Sequence, residues 1–212
     1  MIPYAHTSHY CEENVWHLAK QKEPEGGYGF VVIISNENRT VPFWRHRSSI
    51  TPENPEGMVI WDYHVIYIHD DQVYDYDSDV PFPCPVWDYI EQVLGVLRTP
   101  TLPDELWKLY RIIPAPVYLK KFASDRSHML LDGKYLRTPP STPCIVGEGG
   151  VTMNLMQNVL MRFFDVDREE PLPMTMGHVH YETSFIDLCR SLMDEDEDDD
   201  DFLDSESSRM QT

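Results

Sequence analysis

Residues 58–69 read MVIWDYHVIYIH, and residues 72–77 read QVYDYD after the polar turn His69-Asp70-Asp71. The first run is dense in aromatic and aliphatic residues and the second resumes an alternating pattern, as expected of two strands joined by a tight turn. They predict an antiparallel hairpin. Both strands are apolar on both faces, so a sheet built on them needs helices on each side to exclude water. The expected fold is therefore α/β, an antiparallel sheet covered by helices.

Upstream, EENVWHLAKQ at 12–21 places Val15, Trp16 and Ala19 at helical spacing, with Glu12 and Glu13 in the first turn, where the helix dipole favours negative charge. This predicts a helix starting near Cys11. Gly26, Gly27 and Gly29 then break the chain before FVVIIS at 30–35, a β-branched run typical of a buried strand. Downstream, Asp79 to Pro85 carries three prolines and reads as a rigid loop, and Val86 to Leu97 reads as helix. Leu106 to Ile113 fits either strand or helix, Arg137 to Pro143 is a proline-rich connection, and Asn154 to Phe164 fits a last helix.

A chain of 212 residues, 42% hydrophobic and 12% aromatic, can bury one substantial core, so one domain is expected over residues 1–190. The net charge is −19, but residues 191–212 hold ten acidic residues and one basic residue, which leaves −10 for the rest. That segment includes the unbroken acidic run Asp194 to Asp201 and is too poor in apolar residues to repay ordering, so a disordered acidic tail is expected. An acidic surface argues against nucleic acid as a partner, since neutralising phosphates needs clustered Lys and Arg. The sequence has no basic start followed by an apolar run and no stretch near the roughly 18 apolar residues that span a bilayer, so neither secretion nor membrane insertion is expected. Cys11, Cys84, Cys144 and Cys189 are widely separated and form no C-x-x-C pair, which fits free thiols in a reducing compartment, the cytoplasm and by extension the nucleus. A monomer is expected.

A cysteine attacks as thiolate, and a helix N-terminus beside a histidine lowers its pKa towards neutrality. Only Cys11 has that expected setting; the alternative is an ordinary buried thiol. His64 lies mid-strand in WDYHV, and alternation puts it on one face with Asp62 and Ile66. A suitable hairpin register brings Asp75 and Asp77 to the same face of the neighbouring strand, so either carboxylate can orient the imidazole, and geometry does not choose between them. The alternative for His64 is a core histidine satisfied by an acidic neighbour. His128 is a competing base that follows Ser124 and Asp125, an N-cap pair, near a helix start with no strand partner evident.

Several longer strings go beyond residue type. YCEENVW at 10–16, VVIISNENRTVPFW at 31–44, VIWDYHV at 59–65, VYDYDSDVPFPC at 73–84 and YLKKFASDRSHM at 118–129 closely resemble the protein N-terminal glutamine amidohydrolase family. PPSTPC at 139–144 and MNL at 153–155 continue in order. The resemblance runs from about Tyr10 to Phe185 and thins after Leu155 to spaced similarities such as Gly177, Val179 and Phe185.

The resemblance implies that Cys11, from C-E-E-N, is the nucleophile, that His64, from W-D-Y-H, is the base, and that Asp75, the first aspartate of Y-D-x-D, completes the triad in place of Asp77. It also implies a papain/transglutaminase-like sandwich with the cysteine on a helix. The implied reaction converts an N-terminal glutamine of a protein or peptide to glutamate with loss of ammonia, a product open to arginylation in the N-degron pathway. No metal or organic cofactor has a part in such a scheme. Reading a free α-ammonium calls for an acidic residue at the pocket mouth, with Asp62, Asp77 and Asp125 as candidates. Trp44, Trp61, Tyr63 and Tyr74 either wall the pocket or belong to the core. The rivals are a thiol protease, a transglutaminase, and a non-catalytic protein acting through its acidic tail.

Overall fold

The computed structural model describes residues 6–153 and 176–191. The helix expected over Asn154 to Phe164 and the acidic tail after Ser191 lie outside the described residues. The chain opens with helix α1 (Cys11–Lys22) and strands β1 (Gly29–Ser35), β2 (Val41–Phe43) and β3 (Val59–Trp61). Strands β4 (His64–His69), β5 (Gln72–Tyr74) and β6 (Cys84–Pro85) lead into helix α2 (Val86–Tyr89), which continues as a π-helical turn over Ile90–Leu94. Strand β7 (Leu109–Pro114), helix α3 (Ala115–Lys121) and the two-residue strands β8 (Leu130–Leu131) and β9 (Lys134–Tyr135) follow. Strand β10 (His178–Tyr181) and helix α4, over residues 182–191, end the described chain.

Six strands form the main sheet in the order β10-β7-β1-β4-β5-β6, and each neighbouring pair is antiparallel. Successive side chains point to opposite faces, and both faces are covered. On one, Val31 and Ile33 of β1, Val65 and Tyr67 of β4 and Ile113 of β7 pack against Val15, Leu18 and Ala19 of α1 and Tyr118 of α3. On the other, Val32, Ile34, Ile66 and Ile112 meet Tyr89, Ile90, Val93 and Leu94, with Phe185 and Cys189 of α4. The four side chains Val31 to Ile34 are fully buried, each contributing roughly 1.5–3 kcal/mol. The expected architecture, an antiparallel sheet between helices, is what forms.

The hairpin pairs Tyr67 with Tyr74, Ile68 with Val73 and His69 with Gln72, but it is shorter than the sequence pattern predicts. Residues 58–69 do not make one strand. β3 pairs with β2 in a separate two-stranded sheet, and the chain bends at Asp62 and Tyr63. Two side chains cause the break: Asp62 Oδ1 accepts its neighbour's Tyr63 N–H at 3.0 Å, and Ser35 Oγ donates to the Asp62 carbonyl at 2.6 Å. These groups are lost to the ladder. β5 stops at Tyr74 for a similar reason, since Asp75 Oδ1 accepts the Asp77 N–H at 2.9 Å and turns the chain.

Two further boundaries differ from expectation. The helix predicted to reach Leu97 ends at Leu94, where Gly95 adopts φ +63° against the Trp44 ring, a position with no room for a side chain. The ambiguous Leu106 to Ile113 divides into a 3-10 turn at Asp104–Leu106 and the buried strand β7.

Candidate active site

Cys11 is the first residue of α1, and the approach to it is fixed by Asn14. The Asn14 N–H donates to the Tyr10 carbonyl at 3.0 Å, while its side chain accepts the Thr7 N–H at 3.0 Å and donates to the Thr7 carbonyl at 2.8 Å. Cys11 therefore stands at the helix start, as predicted. It lines a cavity of about 220 Å³ together with Trp61, Asp62, Tyr63, Asp77 and His128. That is smaller than the roughly 300–1,000 Å³ of pockets for drug-sized ligands and suits a single side chain.

His64 opens β4, just after the Asp62 bend, and is 2% exposed. Its Nε2 meets Asp75 Oδ1 at 3.0 Å. Asp75 is held in turn by the Tyr89 hydroxyl, which donates to Oδ2 at 2.7 Å, and by the Asp77 N–H on Oδ1. Burial alone would raise the Asp75 carboxyl, but His64 and these donors hold it down at about 2. Burial alone would lower His64, yet Asp75, with Asp77 and Glu12 farther off, raises it overall. The rings of Phe43 and Trp61 pack edge-on to the imidazole at 5.3 and 5.0 Å and fix its plane. Its Nδ1 is buried and has no hydrogen-bond partner among the described residues.

This arrangement lies inside a single family match, since the N-terminal glutamine amidase model aligns with residues 6–189. The chain belongs to the N-terminal glutamine amidase family. Protein N-terminal glutamine amidohydrolase of Oryza sativa subsp. indica is 39% identical over 179 residues, 77% of this chain and 75% of that protein. The protein of the same name from Arabidopsis thaliana is 37% identical over 172 residues, 74% of this chain and 76% of its own. That from Danio rerio is 40% identical over 150 residues, 66% and 71% respectively.

Within this family member, the environment of Cys11 differs from the expectation of a thiol acidified by the helix start. Burial pushes the thiol well up, the Glu12 and Asp77 carboxylates push it further, and the Val65 backbone N–H acts the other way. Cys11 Sγ donates to Glu12 Oε2 at 3.6 Å. At the nucleophile candidate of this amidase-family site, burial and the two carboxylates favour the thiol over the thiolate.

The other candidates separate clearly. Asp77 is buried, lines the cavity with Cys11, and accepts from His6 Nε2 at 3.1 Å. Asp62 also lines it but spends one oxygen on Tyr63 N–H. Asp125 is not among the lining residues; its carboxylate accepts the Ser127 N–H at 3.0 Å and caps the short turn that carries His128. His128 reaches the cavity wall from the start of that short 3-10 helix, Ser127–Met129. Trp61 and Tyr63 wall the cavity, whereas Trp44 and Tyr74 are buried away from it. His64, Asp75 and Asp77 offer metal-ligand atoms within 4.8 Å of one another, the set that could hold a cation. His64 Nε2 and Asp75 Oδ1 already bond each other, and Asp77 Oδ1 is bonded to His6 Nε2.

Two residues of the site carry no sequence signal of their role. Glu12 looks like a first-turn acid favoured by the dipole, yet it is 3% exposed and accepts from both Cys11 and the Tyr63 hydroxyl, the latter at 3.3 Å. Tyr89 looks like a helix core residue, and only the folded sheet brings its hydroxyl to Asp75.

Proposed function

We propose that this chain deamidates the N-terminal glutamine of proteins and peptides to glutamate, releasing ammonia, with Cys11 as nucleophile, His64 as acid and base, and Asp75 as the group that orients and charges His64. The observation that carries the reading is the buried His64–Asp75 hydrogen bond, with the second imidazole nitrogen unpaired among the described residues, on a strand whose next residue, Val65, acts on the Cys11 sulfur. That is the division of labour a thiol–imidazole–carboxylate triad needs.

The proton of the Cys11 thiol passes to His64 Nδ1, and the sulfur adds to the carboxamide carbon of glutamine. Backbone N–H groups at the start of α1 face the developing oxyanion. His64 returns its proton to the departing nitrogen, ammonia leaves, and a thioester remains. Water, deprotonated by His64, attacks that thioester, breaks the C–S bond and frees glutamate and the thiol.

The free α-ammonium is read by carboxylate. Asp77 and Asp62, both on the cavity wall, take that role ahead of Asp125. The layering of α1 against an antiparallel sheet supports reading the fold as a papain/transglutaminase-like sandwich. The product's new N-terminal glutamate is a substrate for arginylation and so for the N-degron pathway. The protein acts as a monomer in the cytoplasm and nucleus and uses no cofactor.

Short peptides beginning with Gln or Asn, or carrying Gln internally, separate the alternatives when ammonia release and peptide mass are followed together. Deamidation confined to N-terminal Gln supports the reading. Peptide cleavage moves the assignment to a protease, reaction at internal Gln to a transglutaminase-like enzyme, and no turnover to a binding protein.

A further inference from the structure

Glu12 is a buried carboxyl with no Lys or Arg partner among the described residues. The nearby guanidinium of Arg126 is spent on Glu13, with contacts of 2.7 and 2.8 Å. The groups that face Glu12 are Cys11 and Glu13 from its own helix, Tyr63 ahead of β4, and Tyr118 of α3, whose hydroxyl donates to the Glu12 carbonyl at 3.2 Å. His64 and Asp77 lie within electrostatic range on the sheet side. Among the described residues that line the cavity there is neither Lys nor Arg; the titratable groups on that wall besides Cys11 and Tyr63 are Asp62, Asp77, His9 and His128. Among the described residues, the thiol thus sits beside carboxylates and two histidines, with no Lys or Arg on the wall.

We propose that Glu12 is a positioning residue that keeps Cys11 a neutral thiol in the free protein, and that the cationic N-terminus of the substrate unlocks it. The inference rests on the substrate reading given above and adds how the site is regulated. In the free protein the thiol donates to Glu12. When an α-ammonium enters the cavity, its positive charge offsets the carboxylates, and separating charge at the thiol becomes less costly. The Cys11 S–H bond then breaks, an N–H bond forms at His64 Nδ1, and thiolate and imidazolium result with no change in net charge. Burial supports the same picture, since it lifts the Glu12 carboxyl to about 7, poised to respond to a neighbouring charge. An internal or blocked glutamine brings no cation and meets a thiol that stays protonated, so selection for the first residue is made in the chemistry as well as in binding.

Alkylation of Cys11 by neutral iodoacetamide, read by peptide mass spectrometry from about pH 6 to 9, tests the hold on the thiol. Glu12→Gln is expected to react at least about tenfold faster than the wild type near pH 8, where Glu12 is mostly charged, and to titrate at lower pH, because one adjacent negative charge is gone. Glu12→Asp, which keeps the charge, is expected to stay close to wild type. Equal rates and midpoints for Glu12→Gln and wild type would overturn the proposal. Unlocking is tested by adding glycinamide, which brings an ammonium but no side chain. It should accelerate wild-type alkylation several-fold while N-acetylglycinamide does not, and an unchanged or slower rate with glycinamide would overturn it. Neither arm requires turnover, so failure to deamidate Gln peptides would sink the substrate reading by itself and leave these rates to be judged separately.

Discussion

His64 and Asp75 form a buried pair, Nε2 to Oδ1 at 3.0 Å, in which each partner moves the other's protonation towards charge. The pair is anchored from a third element by Tyr89, so the imidazole is held by α2 as well as by the hairpin.

Replacing Asp75 with Asn leaves the shape and removes the charge. The imidazolium loses its stabilising partner, and kcat/KM for a Gln-initiated peptide is expected to fall by about 10²–10⁴, the range for a general acid–base step. Steady-state kinetics of Asp75→Asn against the wild type checks this.

Linkage of the same pair gives a pH window. Asp75 is held at about 2 in the fold against 3.8 unfolded, so its contribution is present above pH 3.8 and is lost as pH falls from there to about 2. His64 is raised above 6.5 in the fold, so its contribution is present below pH 6.5 and is lost as pH rises through the folded value. Denaturant titrations should show the stability gap between wild type and Asp75→Asn widest between these limits, at roughly 2 kcal/mol, and closing at both ends. A gap independent of pH would contradict the pairing.

Much of this was legible in the chain. The hairpin, strand β1 and the start of α1 depend on local alternation, helical spacing and turn chemistry; β1 and the start of α1 form where the pattern predicts, and the hairpin forms in a shorter version, His64–His69 with Gln72–Tyr74. The shared face of His64 and Asp75 follows from strand parity. What the chain does not display depends on distant partners. The bend at Asp62 needs Ser35, and the setting of Glu12 needs Tyr63 ahead of β4 and Tyr118 of α3. Because Glu12 and Asp77 face the sulfur, the helix start alone does not set the protonation of Cys11.

Arg126 in FASDRSHM ties the segment after α3 to the active-site helix. It forms a two-pronged ion pair with buried Glu13 and also donates to the carbonyls of Pro140 and Thr142. Arg126→Ala leaves Glu13 buried without a counter-charge and should cost about 3–5 kcal/mol, measured by chemical denaturation.

Lys108 is 3% exposed, its Nζ has no hydrogen-bond partner among the described residues, and it lies 5.3 Å from the centre of the Trp44 ring. Burial lowers its ammonium to about 8, so charging it in the fold works against stability below that pH. Lys108→Met should therefore stabilise the protein by about 1–3 kcal/mol near pH 7, with the gain shrinking as pH rises from 8 towards 10.5. Thermal or denaturant unfolding at pH 7 and pH 10 checks both sign and trend.

The central claim, that Cys11 carries the acyl group of an N-terminal glutamine, is tested most directly by acid-quenching the protein during turnover of a Gln-initiated peptide and weighing it intact. The account predicts an adduct on Cys11 equal to the peptide less ammonia, a deficit of about 17 daltons, and neither adduct nor ammonia from Cys11→Ala. Undiminished ammonia release by Cys11→Ala, or an adduct mapped to another residue, would contradict it.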